Sequence, residues 1–163
     1  MKTLTIFTSN YPPYYGGGSL QIKNVIEKIS NLNKEIKINI YIVTIHRLDN
    51  INVSLSKNIN VEQILISHNK YIRYLKFIFQ VFSTLKNSTV ILLGKSDYTS
   101  FIIVIMAKLM KKKCILRTSL FGYDDAETII NTFKFNFGNL YIKLNDQIIC
   151  NSKIILDTYK NYQ

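Results

Sequence analysis

The first residues whose spacing suggests chemistry form a cluster of glycines and prolines near the amino terminus. Both prolines and three of the six glycines of the 163-residue chain fall between Pro12 and Gly18. Glycine lets the backbone approach a ligand closely, and the unpaired amides of a following helix attract anions. The cluster therefore predicts a phosphate or sugar site over Gly16, Gly17, Gly18 and Ser19. The alternative is a simple turn, since neither G-x-G-x-x-G nor a Walker lysine is present.

A second candidate loop, Ser119 to Asp125, follows an apolar run that ends near Thr118. Its acids could act in catalysis, and Asp124 is the candidate. The alternative is that Asp124 and Asp125 cap a helix or stay solvated. Ligands of open parallel sheets bind outside the carboxyl ends of the strands. Because both loops follow strands, we expect them to lie at one edge of the sheet.

A third candidate is the segment Lys70 to Lys86, where aromatic and cationic residues alternate with helical spacing. One predicted face holds Tyr71, Tyr74, Leu75, Ile78, Val81, Phe82 and Leu85 and is expected to pack on a core. Ile72, Phe77 and Phe79 broaden the apolar arc beside Lys70, Arg73 and Lys76. Packing alone explains the helix, but the pairing also suits contact with acidic lipid through Lys70, Arg73, Lys76 and Phe77.

Composition limits the class of protein. With 47% hydrophobic and 19% charged residues, the chain should fold around a core rather than stay disordered. It has 21 basic and 10 acidic residues, so an anionic partner is plausible. Only Arg47, Arg73 and Arg117 are arginines, which disfavours nucleic-acid recognition.

Neither a metal nor an extracellular location is expected. Cys114 and Cys150 lack neighbours at metal-ligand spacing, and His46 and His68 stand singly, so no metal site is predicted. The amino terminus lacks the features of a signal peptide, and the longest apolar run, Phe101 to Ala107, is too short to span a bilayer. We expect a cytoplasmic protein, either soluble or peripheral on a membrane.

The elements that must position these residues alternate between strands and helices. The strands are predicted over Leu4–Phe7, Lys37–Ile45, Ile59–Ile66, Val90–Leu93, Cys114–Thr118 and Gln147–Cys150. The helices are predicted from Ser19, over Lys70–Lys86, Tyr98–Met110 and Phe133–Leu144, and from Ser152. This alternation predicts one α/β domain over residues 1–163, with three layers and a mostly parallel sheet.

In three motifs the chain resembles the amino-terminal half of the retaining GT-B glycosyltransferases, which use nucleotide-sugar donors. Tyr11 to Gly17 is similar to the family's Y-P-P-x-x-G-G motif. Ser119 to Asp124 is similar to T-x-H-G-x-D, with Phe121 in place of the histidine, so that histidine's role cannot be carried over. Asp146 to Ser152 is similar to D-x-I-I-x-x-S.

The resemblance implies a Rossmann-like domain on the acceptor side of a hexosyltransferase. It implies a nucleotide-sugar donor as substrate, no cofactor, and a glycan or lipid-linked acceptor of bacterial polysaccharide biosynthesis at the inner face of the membrane. Donor phosphate would lie against Gly16, Gly17, Gly18 and Ser19. The acceptor-side loops would present Tyr14, Tyr15, Phe121, Gly122 and Asp124.

In that family a second domain holds most of the nucleotide, and no such domain is expected within residues 1–163. The resemblance therefore implies that this chain is inactive alone. It would be either one part of a cut enzyme or one subunit of a split enzyme with a separate donor-binding subunit. The alternative is a non-catalytic binding or partner subunit of such an assembly or of a membrane complex.

Overall fold

The computed structural model describes residues 2–12, 17–46, 48, 58–66, 69–160 and 162. In this part of the chain, six strands form one sheet in the order β3-β2-β1-β4-β5-β6, and all neighbouring strands are parallel. The strands are β1 (Thr3–Thr8), β2 (Lys37–Thr44), β3 (Ile59–Leu65), β4 (Val90–Leu93), β5 (Lys113–Thr118) and β6 (Gln147–Cys150). The helices are α1 (Gly17–Leu32), α2 (Lys70–Lys86), α3 (Tyr98–Leu109), α4 (Ala126–Thr132), α5 (Phe137–Leu144) and α6 (Lys153–Tyr159).

The central strands are apolar on both faces because both faces are covered. In β1, Ile6 faces one cluster with residues of α1, and Phe7 faces the other with residues of α2 and α3. Ile6 lies beside Ile40 of β2 and Leu92 of β4. Such burial on two sides is typical of parallel sheets. The prediction of a three-layer α/β fold with a parallel sheet is confirmed.

The two helical layers are unequal. Ile22 and Ile26 of α1 pack on one face of the sheet, together with Tyr11 from the loop after β1. Buried residues of the other five helices pack on the opposite face. The tyrosine that opens the Y-P-P motif is therefore a core residue, and burial together with the charge of Glu27 raises the pKa of Tyr11 to about 12.

The strand order fixes where a ligand can enter. The chain runs outward from β1 through β2 to β3, and then returns to β4 on the other side of β1. The loops after β1 and β4 therefore leave the sheet in opposite directions and open a crevice at its carboxyl edge.

One helix prediction was wrong. A helix was predicted over Phe133–Leu144, but α5 begins only at Phe137, and α4 covers Ala126–Thr132, where no helix was predicted. Asp125 caps α4 by accepting a hydrogen bond from the Thr128 amide at 3.0 Å. Phe135 and Asn136 take left-handed backbone angles, with φ of 57° and 60°, which no α-helix can continue through.

The packing of α2 also differs from the prediction. Its buried stripe is Phe77, Val81 and Leu85, spaced by four residues and facing the sheet and α3. Four residues predicted to pack are substantially exposed: Tyr74, Leu75, Ile78 and Phe82. Apolar residues surround much of this helix, so periodicity alone could not show which stripe faces the sheet. The prediction that Phe77 contacts a membrane was wrong, because its side chain is 1% exposed.

Candidate functional site

A cavity of about 440 Å³ opens at the carboxyl edge of the sheet, beside the ends of β1, β2 and β4. Its lining combines apolar side chains with polar and charged ones. The apolar or aromatic residues are Val43, Ile45, Ile66 and Tyr74, and the polar or charged residues are Ser9, Asn10, Thr44, His46, Arg73, Lys95, Asp97 and Thr99. Donors and acceptors are thus mixed around a space large enough for a sugar-sized ligand. We call this cavity the crevice.

Lys95 and Asp97 form an ion pair in the crevice. Lys95 Nζ lies 2.9 Å from the Asp97 carboxylate, which also caps α3 by accepting from the Ser100 amide at 2.9 Å. Thr99 Oγ1 donates to the same carboxylate at 2.6 Å. Burial alone would raise the pKa of Asp97, but Lys95 and these hydrogen bonds hold it below its usual value. Asp97 is therefore a charged, positioned group.

The glycine loop is only partly described. Tyr14, Tyr15 and Gly16 lie outside the described residues, so the predictions for them have no structural counterpart. Gly17 and Gly18 form the start of α1, and Ser19 is buried in its first turn. The predicted phosphate loop therefore leads directly into a helix amino terminus.

The acids of the loop after β5 are used by the protein itself. Asp124 Oδ2 accepts hydrogen bonds from the Ser119 amide at 2.9 Å, the Ser119 hydroxyl at 3.1 Å and the Leu120 amide at 3.2 Å. Asp125 accepts from Thr128 and from the Gly122 amide. Burial opposes ionisation of Asp125, but these bonds lower its pKa. Asp124 holds the loop in shape, and Asp125 caps α4, as the alternative to catalysis predicted for it.

The tip of the same loop points to solvent. Phe121 is 63% exposed, and Gly122 has a φ of +81°, which a residue with a side chain rarely adopts. Phe121 therefore offers an aromatic ring to a ligand or another protein surface, without any acid–base group.

Arg117 links β5, which precedes the second loop, to α1, which follows the glycine loop, and it was not among the predicted site residues. From the end of β5, its Nη2 donates to Gln21 Oε1 on α1, and the Asn151 side chain donates to the same oxygen at 2.8 Å. Burial lowers the pKa of Arg117, while the charge of Asp124 opposes that change. The available signal was an arginine directly after the apolar run over residues 114–116.

The outer side of α2 carries an exposed apolar stripe. Leu75 is 60% and Phe79 is 73% exposed, and Ile72 and Phe82 extend the stripe along the helix. Lys76 is exposed beside it, whereas Arg73 is half-buried at the crevice and the side chain of Lys70 lies outside the described part. No described helix is both long and apolar enough to cross a membrane.

A metal centre finds no support in the described part of the chain, where no three His, Cys, Asp or Glu side chains are grouped to hold an ion. Asp146, from the third motif, lies at the opposite edge of the sheet. It binds Lys108 at 2.7 Å and accepts from the Cys114 amide at 2.7 Å, so it ties α3 to β5 and β6. Its role is architectural.

No protein-family model matches this chain, and no curated protein sequence matches it. Solved structures do match. A structure described as a UDP-N-acetylglucosamine 2-epimerase from Listeria monocytogenes aligns with 99% of the chain at a TM-score of 0.69 and 11% identity. The UDP-GlcNAc 2-epimerase from Methanocaldococcus jannaschii aligns with 98% at a TM-score of 0.66 and 14% identity. The lipopolysaccharide outer core galactosyltransferase WaaB aligns with 99% at a TM-score of 0.62 and 17% identity.

In each of these three matches, the aligned region is 42% of the other protein. The chain therefore corresponds in extent to less than half of those proteins. At these identities the likeness establishes the fold: a six-stranded parallel Rossmann-like domain that matches one half of GT-B proteins.

Proposed function

We propose that this chain is the acceptor-side domain of a glycosyltransferase that takes sugar from a nucleotide donor. The observation that carries the proposal is the crevice, which lies at the switch point of a fold shared with a galactosyltransferase and with two epimerases named for a nucleotide sugar. The motifs at Tyr11 to Gly17 and Ser119 to Asp124 support the same assignment.

The residues of the crevice suit an acceptor with several hydroxyls. Asn10 and Thr99 offer neutral polar groups, and the Lys95–Asp97 pair offers both a cation and an acceptor oxygen at fixed positions. Because Asp97 is committed to capping α3, it orients a hydroxyl rather than removing its proton. In this proposal the chain binds the acceptor and orients its hydroxyl. Holding the reacting groups close together in this way speeds the reaction.

Charge stabilisation of a leaving nucleoside diphosphate needs cations on both sides of that group. In this proposal the second side belongs to a donor-binding domain or subunit, so the chain alone transfers no sugar. A radiolabelled nucleotide-sugar assay of the isolated chain checks this point. Robust transfer would contradict it.

Acceptor binding is tested directly on the isolated chain with an array of glycans and lipid-linked saccharides. The wild type should retain a subset of acceptors, and Asn10→Ala should reduce their retention at least fivefold because Asn10 lines the crevice. Asn24→Ala, an exposed position of α1, is the matched control and should bind like the wild type. Equal retention by both variants, or no retention by the wild type, would contradict the acceptor-side role.

A membrane-associated role is favoured by the exposed stripe of α2. Ile72, Leu75 and Phe79 could enter the interface of an anionic membrane, with Lys76 beside them near the headgroups. The segment Lys70–Lys86 contains four cations and no acid, so its charge suits such a surface. This arrangement would hold the crevice close to a lipid-linked acceptor, and it serves equally well for a non-catalytic partner subunit.

A further inference from the structure

Gln63 lies on β3 at the edge of the sheet, and its side-chain amide is bonded to the end of β2 and the loop that follows. Its Nε2 donates to the Thr44 hydroxyl oxygen at 2.6 Å and to the His46 carbonyl oxygen at 2.6 Å. Its Oε1 accepts from the Leu48 amide at 3.2 Å. One side chain therefore holds three positions of the segment over residues 44–48.

That segment forms one wall of the crevice. Thr44 and His46 line the crevice, whereas Gln63 is not among the described residues that do so. Ile66, which follows β3, lines the crevice as well, and its backbone amide donates to the Thr44 carbonyl at 2.8 Å. The side chain of Gln63 therefore acts on the crevice through the end of β2 rather than directly.

The two turns that line the crevice are held in different ways. After β1, Thr8 Oγ1 donates to the Asn10 carbonyl at 3.0 Å and accepts from the Asn10 amide at 3.4 Å. After β2, Thr44 Oγ1 donates to the His46 carbonyl at 2.7 Å, and the Gln63 amide donates to both of these oxygens. Hydroxyl-to-backbone bonds of this kind favour turns. The second turn thus depends on a residue 19 positions away along the chain.

The bonds of Gln63 hold the shape of the loop more than the stability of the core. Ile45 and His46 are exposed, so water can replace the side-chain bonds when they are lost. The backbone pairing of β3 with β2 uses other atoms and persists without the Gln63 amide. Loss of this amide should therefore free the loop and leave the sheet intact.

We propose that Gln63 is a positioning residue that selects among acceptors by fixing the crevice wall at Thr44 and His46. This inference rests on the proposed function, since the crevice is the site that would bind the acceptor. A wall that already has its bound shape needs no further ordering when a ligand arrives, so an acceptor that fits it gains affinity. An acceptor that needs the wall to move is disfavoured.

Gln63→Met tests the proposal because it keeps the length of the side chain and removes all three bonds. Hydrogen exchange of the Leu48 amide, measured by NMR, should become about tenfold faster because its acceptor is gone. Retention of the best wild-type acceptors on the array of glycans and lipid-linked saccharides should fall about fivefold, and the order of preference among acceptors should change. Asn60→Leu removes an exposed amide from the same strand and should match the wild type in both measurements.

Gln63→Glu separates the two halves of the amide. Its carboxylate can still accept from the Leu48 amide, but it cannot donate to the Thr44 hydroxyl or the His46 carbonyl. Exchange of the Leu48 amide should stay slower than in Gln63→Met, while acceptor retention should fall as it does there. The Tm of both variants should stay within a few degrees of the wild type. A large loss of Tm in both would assign Gln63 to the architecture and overturn the proposal.

The array distinguishes this inference from the proposed function. If Gln63→Met retains the same acceptors in the same order as the wild type, the positioning role is overturned and the acceptor-side role stands. A loss by one common factor for every acceptor also overturns it, because a merely structural role predicts that result. Unchanged exchange of the Leu48 amide in Gln63→Met has the same consequence. No retention by the wild type contradicts the proposed function, and the positioning role with it.

Discussion

Helices α2 and α3 lie side by side on the same face of the sheet, and both are rich in apolar residues. α3 is enclosed, since Phe101, Ile103, Val104 and Ala107 are buried, and the Phe101 ring packs 5.5 Å from Phe137 of α5. The described neighbours of α2 are α3 and the sheet, so only one of its two apolar stripes is covered. Apolar content shows how much surface a helix could bury, and neighbours decide how much it does bury.

The largest expected effect distinguishes the two stripes of α2. Phe77→Ala should lower the free energy of unfolding by about 3–5 kcal/mol, because it removes a buried ring and leaves a cavity. Phe79→Ala should change it by less than about 0.5 kcal/mol, because that ring is already in solvent. Urea unfolding of both variants measures this, and similar losses would mean that the outer stripe is covered.

The second prediction concerns what the outer stripe binds. The chain should co-sediment with phosphatidylglycerol vesicles. The double variant Leu75→Ser, Phe79→Ser should reduce partitioning into the vesicles about tenfold. Full burial of one such apolar side chain contributes about 1.5–3 kcal/mol, and partial burial in the membrane interface contributes less. Salt should weaken binding because the contribution of Lys76 is screened.

The matched control for that experiment is Leu109→Ser, which removes an exposed leucine from the end of α3 instead. It should sediment like the wild type. Equal sedimentation of the double variant and the wild type, or none by either, would show that the stripe of α2 is not a membrane contact.

The smallest expected effect is at the start of α3. Asp97→Ala should destabilise the fold by about 1 kcal/mol through loss of the cap. The pKa of Asp97 is lowered in the folded state, so its charge stabilises the fold above about pH 4, the usual unfolded value, and this stability is lost as the pH falls through the folded value.

Denaturation of the wild type and Asp97→Ala at several pH values measures this effect. Their difference should be largest near neutral pH and should shrink below about pH 4. A difference that stays constant down to pH 2 would mean that the ionised carboxylate contributes nothing to the cap.

The sheet was predictable because each strand is a short apolar run that can be recognised from its own residues. The predicted β4 and β6, over Val90–Leu93 and Gln147–Cys150, have the observed ends, and each end of the other four predicted strands lies within one residue of the observed end. The break at Phe135–Asn136 was not predictable, since neither residue type demands a left-handed backbone. Asp125 was recognised as a possible cap, but without its partners the start of α4 could not be placed.

The candidate site was predictable only as loops at one edge. The crevice combines Asn10, Thr44 and Lys95, which come from three separate strand ends, and no spacing in the sequence joins them. Arg117 was passed over because a lone arginine in a strand gives no sign of its partner on α1. Long-range pairing of polar groups depends on the tertiary fold, which local patterns do not contain.

The central place of β1 has a consequence for synthesis of the chain on the ribosome. β1 can pair with β2 once residue 44 has emerged, but its other edge must wait for β4, whose register joins Leu4 to Val90. Throughout that interval a nascent chain presents an open, strongly apolar strand edge, which is a template for aggregation. Pairing over such a separation in sequence is also slow. We expect shortened chains that end before residue 90 to need chaperones, whereas chains that include β4 can close the centre of the sheet.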